Sequence, residues 1–287
     1  LPTRWIQYKI PLSNFTNAVG GIADFRSMSF IRMYLTNFSA PVLLRFASLD
    51  LVRGDWRVYQ GALQTDPLIT PLDIGTQLEV NTVNVEENST RVPIAYALPP
   101  GVLREQLNNN NTIIRQNEQS LSLVVKQLAP QDARGVFKNT QFDLRQYKRL
   151  KMFIHAEQIV ETDFSIAEQP MVGFLRMGTD FSENFYQVEL PLNLTPHGAN
   201  SPEEVWPSAN ELDIPVAILA QIKSLGIANQ SLNQLTYYDY IGGSLIAVDA
   251  LAPRTAGVLR IGIKGNPSLG NLRGIMVGVK NVSNKAQ

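Results

Sequence analysis

The sequence predicts a mainly β protein built from antiparallel β-sandwich domains, one partial and one full, with a short helical insertion. Three observations predict it. Short β-branched and aromatic segments alternate with Gly, Pro and Asn; charged residues are only 17% of a chain that is 44% apolar; and blocks of sequence recur along the chain. Strands punctuated this way pair most simply as antiparallel sheets with their apolar faces pressed together.

The recurrences set the order of elements. Trp5-Ile6-Gln7-Tyr8-Lys9-Ile10-Pro11-Leu12 matches Phe185-Tyr186-Gln187-Val188-Glu189-Leu190-Pro191-Leu192, aromatic against aromatic, with the Gln and the Pro-Leu pair identical. Both read as a strand closed by proline. The run from Asp24 to Leu35 aligns with the run from Asp143 to Ile154, and Asn271-Leu272-Arg273 opens a third, weaker copy ending at Val279. Each sets a polar turn before an apolar strand. A further trio, Val42 to Phe46, Gly173 to Met177 and Gly257 to Ile261, places Arg45, Arg176 and Arg260 inside otherwise apolar strands. Those arginines are expected on an outward face.

The recurring pattern is similar to the jelly-roll sandwiches of carbohydrate-binding modules, a likeness of fold that carries no ligand with it. Residues 1–60 are expected to hold only the later strands of one sandwich, because their first strand matches one deep inside the second copy. Residues 61–75, with Pro67 and Pro71, have linker composition. A fuller sandwich is expected over 76–287, beginning with the strand-like Gln77-Leu78-Glu79-Val80-Asn81-Thr82-Val83.

The second copy carries an insertion at about 193–255 with one helix. Asp213 is expected to cap it, with Pro215 in its first turn, Ile218, Leu219, Ile222 and Leu225 on one apolar face, and Gly226 at its end. Such a helix covers a sheet edge or face. The chain enters a strand-like stretch within five residues of its start, so that start is expected to be a cut inside something larger.

Lys plus Arg equals Asp plus Glu at 25 each, so no large field favours nucleic acid or anionic lipid as a partner. With no cysteine there are no disulfides, thiol nucleophiles or thiolate metal sites. No window reaches the twenty or so apolar residues that a membrane helix needs.

The residues that could carry chemistry are sparse. His155, in a predicted strand, and His197, after Pro196, are the two histidines, and neither has a metal-ligand neighbour at a recognisable spacing. The first reads as an ordinary strand side chain and the second as a solvated loop residue. No Gly-x-Ser-x-Gly elbow supports a nucleophile. Glu86-Glu87, Glu203-Glu204 and Asp180 with Glu183 could act as acid and base or bind calcium, but solvated loops explain them as well. Gly242-Gly243 and Gly265-Asn266-Pro267 read as turns. No catalytic residue, metal site or cofactor is expected.

The candidate partner-contact patch is Arg53, Asp55, Trp56, Arg57 and Tyr59, the densest run of aromatic and charged residues. Its alternative is a strand end in which Trp56 packs inward and the arginines pair with Asp50 and Asp55.

From Ala23 to Leu35 and on through Leu44 to Arg57, the chain resembles the SprA/Sov family of gliding-motility and secretion proteins. Val85-Glu86-Glu87-Asn88, Tyr96 to Val102, Gln116 to Leu121, Arg149 to Glu157, Trp206-Pro207 and Asp213-Ile214 continue the resemblance in the same order. Members of that family are very large outer-membrane β-barrels forming the translocon of the type IX secretion system. The resemblance implies a segment in the cell envelope, periplasmic or surface-exposed. Its implied partners are the rest of its parent chain, translocon accessory subunits or secreted cargo. It transfers no catalytic residue. The function expected is therefore a non-catalytic structural and interaction segment, with a carbohydrate-binding surface module as the alternative and a loop-carboxylate hydrolase as the third reading.

Overall fold

The structure, a computed structural model, describes residues 8, 10, 16, 17, 19, 20, 31–49, 55–63, 75–104, 106–109, 112–115, 117–159 and 171–283. The chain divides into two compact units, residues 1–52 and 53–287. In the smaller unit the described residues 31–49 carry no assigned strand, including the segment around Arg45, which is exposed. Most of the repeat block at Trp5, the Asp24–Phe30 part of the second block and most of the expected linker lie outside the described residues, while Ile31 to Leu35 carry no assigned strand.

The larger unit is mainly β. In chain order it contains β1 (Arg57–Val58), β2 (Gln77–Asn84), the single-turn α1 (Val85–Asn88), β3 (Gln106–Asn109), β4 (Thr112–Arg115), β5 (Gln119–Lys126), β6 (Ala133–Phe142), β7 (Arg149–Phe153), β8 (Met171–Gly178) and β9 (Phe185–Pro191). There follow α2 (Pro202–Val205), β10 (Glu211–Pro215), α3 (Val216–Ala228), β11 (Thr236–Ile241), β12 (Ser244–Val248), β13 (Leu259–Lys264) and β14 (Leu272–Asn281).

Eight strands form one antiparallel sheet in the order β1-β6-β14-β8-β9-β13-β11-β12. Three two-stranded sheets accompany it: β2 with β5, β3 with β4, and β7 with β10. The strands expected from the repeats at 173–177, 185–191, 259–261 and 272–279 are all members of the large sheet.

Period-2 alternation places Leu175, Met177, Tyr186, Val188, Leu190, Ile261 and Ile263 on one face, where they are almost wholly buried with Leu212, Ile214, Leu219 and Ile222. Each such side chain contributes about 1.5–3 kcal/mol. The apolar faces of α3 and the β7–β10 pair therefore cover this face of the sheet. The repeated Asp-Leu-Arg turn has a direct cause here. Asp143 accepts the amide of Arg145 at 2.9 Å and pairs with its guanidinium, closing one 3-10 turn, while Leu144 enters the core at 5% exposure. In the third copy Leu272 does the same at 0%.

The helix forms where expected, with its ends assigned differently. Pro215 is its N-cap and makes no side-chain cap bond, whereas Asp213 sits in β10, accepting from Arg149 at 2.7 Å and pairing with Lys151 at 3.0 Å. Leu225 is 38% exposed while Ile218, Leu219 and Ile222 are buried. Gly226 lies inside the helix, because a Schellman motif ends it further on. Ser231 N donates to Gly226 O at 3.0 Å, Gln230 N donates to Ile227 O at 3.2 Å, and Gln230 takes the left-handed φ of 51°. Leu232 then lies against Gly226, where an added Cβ would be 2.3 Å from Leu232 Cδ2.

The Gly242-Gly243 turn is as read. Both φ values are positive, 55° and 87°, joining Ile241 to Ser244 in a two-residue hairpin. Gly278 in β14 is needed for another reason: a Cβ there would lie 2.3 Å from Arg134 O and 2.5 Å from Phe174 Cζ. Gly278→Ala is expected to destabilise by about 1–3 kcal/mol through overpacking, read as a lower urea midpoint at unchanged m value.

Candidate functional site

The second face of the large sheet is where the structure departs most from expectation. Register places Phe174 opposite Glu189, Glu189 opposite Arg260, and Arg260 opposite Asp239, with Arg176 opposite Gln187 one step along and Tyr237 opposite Gly262. This face points away from the apolar core. The arginines thus lie on the face away from the apolar core, as expected, but other segments close over it, so Arg176 (4% exposed) and Arg260 (2%) are buried instead of facing solvent. The closure is made by chain that periodicity does not describe: the loop 249–254, the 179–184 turn, and the segment carrying Tyr59 and Leu63.

Glu189 is the centre of the network, with no exposure. Its Oε1 accepts from Lys280 Nζ at 3.0 Å, Tyr237 Oη at 3.0 Å and Gln187 Nε2 at 2.6 Å. Its Oε2 is met by Arg254 Nη2 as an ion pair. Gln187 passes the network on, accepting Arg176 Nε at 2.7 Å, and Arg176 also donates to Phe181 O at 2.6 Å and lies 3.9 Å from the Phe185 ring centre. Arg260 pairs with Asp239 through Nε and Nη2 (2.6 and 3.1 Å). It also donates to Ala252 O at 2.9 Å and Pro253 O at 3.0 Å.

Burial alone would raise the Glu189 carboxyl. The charges of Lys280 and Arg254, with hydrogen bonds from Lys280 and Gln187, overcome it and hold the group down at about 2. Burial pushes Lys280 and Arg176 down and the Tyr237 phenol well up. Asp180 is likewise held down at about 2: its burial opposes this, but the Asn184 side chain and the amides of Ser182, Glu183 and Asn184 donate to it.

Both carboxyls have folded values below their ordinary 4.5 and 3.8, so the native state binds fewer protons than the unfolded one. Their contribution is complete above about pH 4.5 and is lost as pH falls toward 2. The thermal midpoint is expected to fall steeply over that window, and to fall less in Glu189→Gln, whose midpoint at pH 7 is already lower.

A second polar cluster surrounds His155, which lies just beyond β7. His155 Nδ1 is 2.7 Å from Val205 O and 3.3 Å from Thr195 Oγ1, and Nε2 is 3.2 Å from Glu157, which Arg91 also engages at 2.5 Å. A carbonyl oxygen only accepts, so Nδ1 carries a proton and cannot deprotonate the 4%-exposed Thr195. The arrangement is a strap. With the ring contact between His155 and Trp206, and the Trp206 Nε1 bond to Ala97 O at 2.8 Å, it ties 91–97, 155–157 and 195–206 around a small core of Ile94, Tyr96, Ala199 and Val205. Burial opposes ionisation of Glu157, yet its bonds from His155 and Arg91 hold its carboxyl below the usual range. His197 is half-buried against Gln158 O at 2.9 Å, rather than solvated.

The loop acids have local duties. The Glu87 carboxylate accepts from Asn84 Nδ2 at 3.1 Å and so holds the residue that caps α1 through the Glu87 amide, and Glu204 completes a capping box with Ser201. Among the described residues no group of three or more His, Asp or Glu could hold a metal ion.

Of the partner-contact patch, Arg53 and the neighbouring Asp50 lie outside the described residues. Asp55 is exposed and pairs with Lys138 at 2.6 Å, Arg57 lies 4.6 Å from the Phe137 ring centre, and Tyr59 packs edge-on against Phe137 and Phe181. Trp56 is half-buried. The patch thus sits on the short edge strand β1. Tyr147 is the one exposed aromatic among the described residues of the larger unit, so those residues present no row of exposed aromatics for stacking on sugar.

The buried network escaped sequence reading because no motif marks it. A signal was present: Arg176, Gln187, Glu189, Arg260 and Lys280 interrupt apolar strands at positions that share one face.

No helix among the described residues is long and apolar enough to cross a membrane. A search of curated proteins gave no match. The family profile for the SprA N-terminal region, described as motility related/secretion protein, matches residues 2–287. The chain belongs to this motility-related secretion family.

Proposed function

We propose that the chain is a non-catalytic structural and interaction segment of a large outer-membrane protein-export translocon, that of type IX secretion and gliding motility. The observation that carries this reading is how the chain uses its side chains. The buried ionic groups Arg176, Glu189, Arg254, Arg260 and Lys280 of the larger unit are engaged in the network, and His155 and Glu157 in the strap, with no accessible nucleophile–base pair in either cluster. Meanwhile Ile31, Met33, Leu35, Leu43, Phe46 and Leu49 of the smaller unit are each at least half exposed. Large apolar side chains left in solvent in one stretch mark contact surface. The edge strand β12, with Ile246 50% exposed, and the Asp55–Tyr59 patch offer further places for other chains to dock. The segment belongs in the cell envelope, on the periplasmic or surface side, with its parent chain, accessory subunits or cargo as partners.

Affinity capture of the tagged intact parent protein from solubilised envelopes tests this. Recovery of secretion subunits or secreted cargo is the expected result, and a parent protein found in the cytosol with none of them would overturn it.

A further inference from the structure

We propose that His155 is a pH-sensitive latch on the small core of Ile94, Tyr96, Ala199, Val205 and Trp206, closed when its imidazole carries two protons and half-released when it carries one. Both ring nitrogens face acceptors. Nδ1 lies 2.7 Å from Val205 O, so it donates there, and Nε2 lies 3.2 Å from a Glu157 oxygen. Burial opposes ionisation of Glu157, but bonds from His155 and Arg91 hold its carboxyl below the usual range, so it is a carboxylate with no proton to give. The Nε2 contact is therefore a bond only if Nε2 is protonated as well.

The neutral ring has one proton for these two acceptors. If it stays on Nδ1, the Nε2 lone pair faces a carboxylate; if it moves to Nε2, Val205, 2% exposed, loses the donor to its carbonyl. Either way one tie fails. The doubly tied form holds one proton more than the half-released form, so raising the pH favours release. Histidine is the side chain that makes this change between about pH 5 and pH 8.

The latch acts on a definite element. Val205 and Trp206 end α2, and the Trp206 ring meets those of His155, Phe153 and Tyr96 at 5.9, 6.4 and 6.1 Å between centres. Thr195 N to Ala156 O at 2.8 Å and Gly198 N to Pro93 O at 3.3 Å join the same segments without titrating, so the α2 end loosens rather than detaches. The charged groups at the ring are Glu157 and, through it, Arg91; Thr195, Val205 O and Trp206 are uncharged. The same segments also carry His197, bonded to Gln158 O, Tyr96, bonded to Glu118, and the exposed Glu203 and Glu204. His197 makes a single tie, which one proton serves.

The test is hydrogen exchange followed by NMR in the full chain from pH 5 to pH 8, corrected for the intrinsic pH dependence of exchange, together with the ring resonances of His155. Protection at the Trp206 indole, and at the Val205 and Trp206 amides bonded to Ser201 O and Pro202 O, should fall about tenfold over that range, with its midpoint where the His155 ring loses a proton. His155→Gln does not titrate and should remove the step, while His197→Gln should keep it. Glu157→Gln, whose amide either accepts from the ring or donates to it, should also flatten the step; it decides the matter should His155→Gln not fold. A step that persists in His155→Gln or Glu157→Gln, or flat wild-type protection across the titration of the His155 ring, overturns the proposal.

Discussion

Glu189→Leu is expected to destabilise the larger unit by about 3–5 kcal/mol, the effect of leaving buried charges without their counter-ion. The carboxylate accepts from Lys280, Tyr237 and Gln187 and pairs with Arg254, so its loss strands four groups in a water-poor space. Urea unfolding followed by circular dichroism measures it. Glu189→Gln should fall between Leu and wild type, since an amide can still accept but carries no charge. The triple change Glu189→Leu, Arg254→Met, Lys280→Met should cost less than Glu189→Leu alone, because removing all the partners removes the unmet charges with them. A triple variant less stable than the single one would show that the network does more than balance its own charges.

Arg260→Met has the second large expected effect, again about 3–5 kcal/mol. It strands Asp239 and frees the carbonyls of Ala252 and Pro253, which hold the 249–254 loop over the sheet. The loss should therefore be local as well as global. Hydrogen exchange at the Ala252 amide, bonded to Asp249 O at 3.1 Å, should speed up by more than the global destabilisation explains. Arg260→Lys should recover only part of the stability, because one ammonium cannot reach both Asp239 oxygens and the loop carbonyls together.

The two variants touch what was hardest to read in the sequence. Strand positions were legible because alternation and repetition are local: the Phe185–Pro191 strand, the Asp143-Leu144-Arg145 turn and the Leu272–Asn281 strand all lie where the repeats put them. Alternation also says that Arg176 and Arg260 point away from the apolar side. It does not say whether something covers that side. The cover is a loop, Asp249 to Arg254, whose sequence carries no periodicity, plus segments distant in the chain.

The helix shows the same division. Its apolar face was legible at Ile218, Leu219 and Ile222, while its ends were not. Asp213 is claimed by strand pairing with Lys151, and Gly226 makes room for Leu232 instead of ending the helix. Caps are chosen by the fold among several residues able to serve. The Glu189 network follows from cross-strand register, which brings residues 176, 187, 189 and 260 side by side and is set only when the whole sheet assembles.

The most direct measurement is secretion of cargo into the medium by cells whose parent protein lacks residues 76–283. If the segment is a working part of an outer-membrane translocon, the shortened protein will still fractionate with the outer membrane while cargo is retained in the cell and gliding is lost. Unchanged secretion and motility from cells carrying the shortened protein would contradict it.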